Sequence, residues 1–141
     1  MYLNIITACT RIENLFIISD SIKNTIPKEN YRWIVVFDSN RLPDKELIPD
    51  NCEYYLHHND LSIVGNSQKN FALNIINTGY IYMNDDDTII HPDLWENIKN
   101  LDNNDFISFM QENKNGKMRL RGNTMQLVLY PIYPFVCYTS I

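Results

Sequence analysis

The chain has 141 residues, 45% of them hydrophobic and 21% charged, which suits one globular domain with a real core and argues against a disordered chain. Its net charge of −5 has the wrong sign for a protein that gains affinity by neutralising phosphates along a polymer, so no nucleic-acid partner is expected. Small phosphate ligands remain open, because a bound divalent cation reverses the sign locally. Cys9, Cys52 and Cys137 are widely spaced, lack the pairing of a structural zinc site, and read as reduced thiols of a cytoplasmic protein. The N-terminus has no basic region leading into a long apolar segment, and no stretch approaches a transmembrane segment in length.

Taken in chain order, "LNIIT" at residues 3–7 is β-branched and apolar and predicts a buried strand. From Arg11 the spacing turns helical through Ile12, Leu15, Phe16, Ser19 and Ile22, with Thr10 as its N-cap and an end near Asn24, before Pro27. Residues 31–37 predict a second buried strand that ends in Asp38, and "CEYYLHH" a third. Residues 68–77 carry Phe71, Leu73, Ile75 and Ile76 in a helical window, closed by Gly79. "YIYM" is the next strand, and Pro92 opens a helix over "PDLWENIKNL". Farther on, "NKNGK" around Gly116 reads as a hairpin turn, followed by an aromatic tail with Pro131 and Pro134 that is either an edge strand or an irregular cap.

Alternating strands and helices predict an α/β domain with a largely parallel sheet, undivided over residues 1–141. In such sheets ligands bind outside the carboxyl ends of the strands. "TACTR", "FDSN" and "NDDD" each follow a strand and so gather on one rim.

Asp85, Asp86 and Asp87 are adjacent, and neighbouring carboxylates disfavour one another's ionisation unless they are solvated or share a cation. In isolation such a triplet is a solvated turn. At the end of a buried strand it is also a set of hard oxygen ligands suited to Mg²⁺ or Mn²⁺. In extended geometry Asp85 and Asp87 face one side, and Asp86 faces the other side or a neighbouring loop.

Together, "ITACTRIENL", "WIVVFDSN", "GNSQKNFALNII" and "GYIYMNDDDTIIHPDLWENI" resemble, in order, the motifs of nucleotide-sugar glycosyltransferases of the A-type fold, over residues 3–101. That large group includes many polysaccharide synthases and the animal glucuronyltransferases. The resemblance implies a Rossmann-like sheet flanked by helices and a nucleoside diphosphate sugar donor, with uridine as the expected base. It places Thr7, Ala8 and Arg11 in a loop opening onto the nucleotide, Asp38 at the base, and Lys69 and Asn70 on the donor side. Asp87, with Asp85, would hold Mn²⁺ or Mg²⁺ bridging the diphosphate, and Asp85 and Asp86 would contact the ribose or metal-bound water.

The departure lies downstream, where inverting members carry a carboxylate that deprotonates the acceptor hydroxyl. Glu96, Asp105 and Glu112 sit in no matching motif, so no catalytic base is assigned and the acceptor, whether glycan, protein or lipid, is unidentified. A non-catalytic nucleotide-sugar-binding module or subunit is the rival reading. A third is a small domain that binds a cation only for its structure. Against a metal site at His57 and His58, adjacent side chains on a strand point different ways, and a surface turn is expected. His91 is expected to pack or cap before Pro92, Cys9 to fill a buried gap, and Trp33 and Trp95 to lie in the core. The apolar tail at residues 130–138 is a candidate surface for a homo-oligomer.

Overall fold

The β-branched run at the start of the chain forms β1, Leu3–Cys9, and "YRWIVVFD" forms β2, Tyr31–Asp38. The two pair in parallel, with Leu3 opposite Tyr31 and Cys9 opposite Phe37. A third strand, β3, Glu53–His57, lies beyond β2, and β4, Tyr80–Met83, flanks β1 on its other side. A computed structural model describes residues 1–38, 43–57 and 65–100, together with β1 to β4 within them and four short strands beyond: β5, Phe106–Ser108; β6, Gln111–Glu112; β7, Met118–Arg119; and β8, Phe135–Cys137. The main sheet runs β3-β2-β1-β4-β8-β5 and is parallel throughout, which makes this an α/β domain as the alternation predicts.

Burial on both faces explains why β1 and β2 are apolar almost without interruption. Leu3 and Ile5 of β1 and Trp33, Val35 and Phe37 of β2 point to one side, where α1, Leu15–Thr25, packs Leu15, Ile18 and Ile22 against them. On the same side α3, Leu94–Ile98, adds Leu94 and Ile98. The opposite face carries Ile6, Ile34, Val36 and Ile81 beneath Ala72 of α2, Asn66–Asn74, and Ile76 just beyond it. One strand polar group is also satisfied internally: Asn4, 2% exposed, donates from Nδ2 to the carbonyls of Thr78 and Tyr80 at 2.7 and 3.3 Å.

Several local expectations shift. A 3₁₀ turn over Ile12–Asn14 precedes α1, so the helix begins at Leu15 and Thr10 does not cap it. That start sets the helical phase by Leu15, Ile18 and Ile22, which turns Phe16 outward to 47% exposure. The α2 helix ends at Asn74, and Gly79 serves the following strand instead of closing the helix. Its φ is +89°, and a Cβ there would meet Tyr2 O at 2.8 Å and Asn4 Nδ2 at 2.9 Å, so glycine allows the chain to enter β4 against β1. The α3 helix begins only at Leu94, with Asp93 at its N-cap position, so Pro92 precedes the helix instead of lying in its first turn.

In the C-terminal part, β6 and β7 pair antiparallel as a hairpin requires, while the turn around Gly116 lies outside the described residues. The tail supplies β8, which lies between β4 and β5 and is therefore an inner strand, neither an edge nor a cap. Among the described residues, no helix is long and apolar enough to cross a membrane.

Candidate functional site

The strand order places β2 and β3 on one side of β1 and β4 on the other, so the chain reverses direction across the sheet at β1. A crevice outside the carboxyl ends of such a pair is the usual ligand position in an open α/β sheet. The residues that border it are the loop after β1, with Thr10 and Arg11, and the segment after β4, with Asn84 to Thr88.

The acidic segment does not continue as a strand. Thr88 N donates to Asp85 O at 3.0 Å, closing a turn, and the buried Asn84 braces it by donating from Nδ2 to the carbonyls of Asp85 and Thr88 at 3.2 and 3.0 Å. In this turn Asp85 meets Lys69, while Asp86 and Asp87 share Arg11.

Asp86 turns inward, with 7% of its surface exposed. Its Oδ2 accepts from Thr10 N at 2.7 Å, Thr10 Oγ1 at 2.9 Å and Arg11 N at 2.9 Å, and Oδ1 accepts from the Arg11 guanidinium at 3.3 Å. Asn14 Nδ2 donates to its carbonyl at 2.8 Å. Asp86 thus clamps the β1 loop to the β4 loop across the crevice, with its carboxylate oxygens already engaged. Asp87 is about half exposed and faces Arg11, whose Nη1 lies 2.7 Å from its Oδ2. That bond, reinforced by the charge of Asp86, raises the Arg11 pKa above the usual arginine value. Asp85 meets Lys69 from α2, with Nζ at 2.8 Å from Oδ1 and the lysine side chain only 22% exposed.

Five expected site residues are therefore joined by direct bonds: Arg11, Lys69, Asp85, Asp86 and Asp87. Asp38 ends β2 half-buried, in register with His57 of β3, on the face that carries Ile34 and Val36 beneath α2. Ala8 lies at the end of β1, where a Cβ on Gly65 would come 3.1 Å from its own Cβ. Gly65 has φ +73°, and this close approach seats the first turn of α2 on the strand end. Thr7 is fully buried, and its hydroxyl accepts the Trp33 indole N–H at 3.0 Å, so its side chain belongs to the core under α1. Asn70 is exposed on α2 and shares no hydrogen bond with the cluster.

Thr10 and Asn14 join the site although neither is an expected site residue, and Gly65, which opens the motif "GNSQKNFALNII", acts through its close approach to Ala8. Their signal is a polar Thr-Arg-x-x-Asn run directly after a buried strand, and a glycine directly before a helix. His57 is not a surface turn residue: it ends β3, stacks on Phe71 with ring centroids 5.0 Å apart, and its Nε2 lies 2.9 Å from Ser67 Oγ. His58 lies outside the described residues. His91 is exposed, with Nδ1 accepting from Asp93 N at 3.2 Å. Cys9 and Cys52 are unbridged thiols. Burial, with the charge of Asp86 second, pushes the Cys9 pKa up to about 12, so this residue fills space beside the site without nucleophilic character.

Of the three carboxylates, Asp85 and Asp87 suit a hard divalent cation, their side chains being 43% and 54% exposed, whereas Asp86 is committed to the β1 loop. Among the described residues no three His, Cys, Asp or Glu side chains converge to enclose an ion. Mg²⁺ sites completed by water and substrate phosphates use one or two carboxylates and need no such cage. Arg11 and Lys69 are equally suited to phosphate oxygens, and in this state they neutralise the carboxylates instead. No protein-family model matches the chain, and none of the curated proteins searched is significantly similar to it.

Proposed function

We propose that this chain is a metal-dependent glycosyltransferase of the A-type fold that moves a sugar from a nucleoside diphosphate sugar to an acceptor. One observation carries the reading. Two cations from separate segments, Arg11 after β1 and Lys69 on α2, converge on three carboxylates at the end of β4, where the strand order reverses. A diphosphate needs cationic side chains, a divalent ion needs carboxylates, and this rim supplies both in adjoining positions.

In this reading Asp85 and Asp87 hold the ion, Arg11 and Lys69 turn from the carboxylates to the phosphates, and Asp86 keeps the two loops in register. The ion offsets the diphosphate charge and stabilises the leaving group as the sugar–phosphate bond breaks. Asp38, at the end of the next strand, lies on the side where the nucleoside would extend.

Calorimetric titration with UDP, GDP and their sugar conjugates, each with and without Mn²⁺, tests the reading. Metal-dependent binding of a nucleotide supports it, and silence across the panel rejects it. A second reading, a binding module without transferase activity, is favoured by Glu96: this downstream carboxylate is exposed on α3 and pairs with Lys99 at 2.5 Å. Metal-dependent hydrolysis of the bound donor above background would reject that alternative.

A further inference from the structure

Among the described residues no strand lies beyond β3, which forms one edge of the main sheet. Every second residue of an edge strand turns its N–H and C=O away from the sheet, and such a row is a template for another strand. Proteins guard these edges with lysine, proline or a bulge. The β3 sequence "EYYLH" contains neither residue, and its register with Ile34 to Asp38 of β2 runs without a bulge. It presents large apolar side chains instead, with Tyr54 47% and Leu56 42% exposed.

The register assigns the two faces of the edge. Tyr54 and Leu56 stand beside Val35 and Phe37 on the α1 side, and Glu53, Tyr55 and His57 stand beside Ile34, Val36 and Asp38 on the α2 side. On the first side a flank of α1 runs along β3, where Ser19 Oγ donates to Asn51 Oδ1 at 2.6 Å and Lys23 pairs with Asp50 at 2.8 Å. Phe16 lies on that flank one turn before Ser19 and is 47% exposed. Phe16, Tyr54 and Leu56 therefore border the open edge on one side of the sheet.

We propose that β3 pairs with β3 of a second copy of this chain, antiparallel about Tyr55, so that the two sheets join into one. The strand is complementary to itself in that register. Glu53 meets His57 of the second copy, Tyr54 meets Leu56, and Tyr55 meets its equivalent, each a favourable cross-strand pair. A twofold axis normal to the sheet makes two equivalent edges antiparallel neighbours and keeps the α1 sides of both copies on one face. The two Tyr54 and Leu56 pairs then lie side by side, between α1 flanks that each carry Phe16. On the other face His57 has Nε2 on Ser67 Oγ at 2.9 Å, which leaves Nδ1 to donate to the opposite carboxylate. Arg32 and Tyr55 occupy three of the roughly four acceptor sites of Glu53, and one remains. A shift of two residues would set Tyr55 against Glu53 or His57 and lose every one of these pairs, and a shift of one would set the two faces against each other. This match of the strand with itself points to a second copy and not to a strand of another protein. The seam is independent of the nucleotide reading, because antiparallel pairing leaves the two acidic rims at opposite ends of the joined sheet.

The test is sedimentation equilibrium of the full chain over about 1–100 µM, the range expected for an interface of modest area, with disulfide trapping as a check on register. Wild-type protein is expected to pass from monomer to dimer over that range. Leu56→Lys places a charge in the apolar seam and is expected to raise the dimer dissociation constant at least about tenfold, with the melting midpoint of the monomer unchanged. Tyr55→Cys sets two equivalent Cα atoms about 4.5–5.5 Å apart across the axis, within disulfide reach, and is expected to give a covalent dimer on mild oxidation. Tyr54→Cys leaves its equivalents about 8 Å apart and is expected to cross-link no more than wild type, whose own cysteines set the baseline. A monomer throughout the range, a dimer indifferent to Leu56→Lys, or Tyr54→Cys cross-linking as readily as Tyr55→Cys would overturn the proposal and leave nucleotide binding untouched. Should Tyr55→Cys fail to fold, Leu56→Lys decides, since its side chain is exposed in the monomer.

Discussion

The two ends of the parallel sheet handle charge in opposite ways. At the amino ends of β2 and β3, Arg32 and Glu53 form two parallel bonds of 2.9 and 2.7 Å, Tyr55 OH donates to the same carboxylate at 3.1 Å, and Lys23 pairs with Asp50 at 2.8 Å. Arg32, Asp50 and Glu53 line a hollow of about 260 Å³ together with Tyr31 and Trp33. At the carboxyl ends, three carboxylates share two cations, Arg11 lying 75 positions from Asp86 and Lys69 16 positions from Asp85. Pairing one to one leaves no charge unmatched, whereas three carboxylates facing two cations leave a surplus of acid that a bound cation could balance. This hollow lies at the opposite end of the sheet from the acidic rim, and it is the charge balance that marks the rim as the candidate site.

The largest effect that separates the two ends belongs to Asp86. Replacing it with alanine leaves two backbone N–H groups and a hydroxyl of the β1 loop without their acceptor, and is expected to cost about 2–4 kcal/mol in urea unfolding. A cost near zero would mean that the loop reorganises freely and that the rim is not a built structure.

That clamp also marks the boundary of what a sequence reading reaches. The strands, the alternation and the gathering of polar loops on one rim were legible because apolar runs and helical spacing are local signals. The same holds for the acidic triplet. Its division of labour was not legible, because the turn that separates Asp85 from Asp87 depends on the Asn84 bonds and on the β1 loop, a contact between residues 76 positions apart. Thr7 illustrates the converse. A threonine at a strand end looks like a loop contact, yet strand alternation aims it at Trp33.

Thr7→Val tests that placement. It removes the acceptor of a fully buried indole N–H, and a loss of about 1–3 kcal/mol is expected with nucleotide affinity unchanged. Weakened binding at full stability would move Thr7 from the core to the site. Asp87→Ala should do the reverse. Its carboxylate is half exposed, so the unfolding midpoint should hardly move, while Mn²⁺-dependent nucleotide binding should weaken by about tenfold or more, as metal-site substitutions do. Unchanged binding would remove Asp87 from the metal ligands and leave the rim as a solvated turn.

The smallest effect concerns pH at the opposite end. The hydrogen bond from Arg32 holds the Glu53 carboxyl below its ordinary value of 4.5, as Lys23 does for Asp50. A carboxyl whose folded pKa is depressed contributes stability that is fully present above the unfolded value and disappears as pH falls through the folded one. Urea midpoints measured from pH 7 down to pH 3 should therefore decline below about pH 5, and Glu53→Gln should flatten part of that decline. Because Glu53 is half exposed, the change is modest, and nucleotide affinity at pH 7 should not respond to it. If Glu53→Gln weakened nucleotide binding as much as Asp87→Ala does, the amino end would not be the self-contained scaffold that its one-to-one pairing implies, and charge balance would lose its value as the guide to the site.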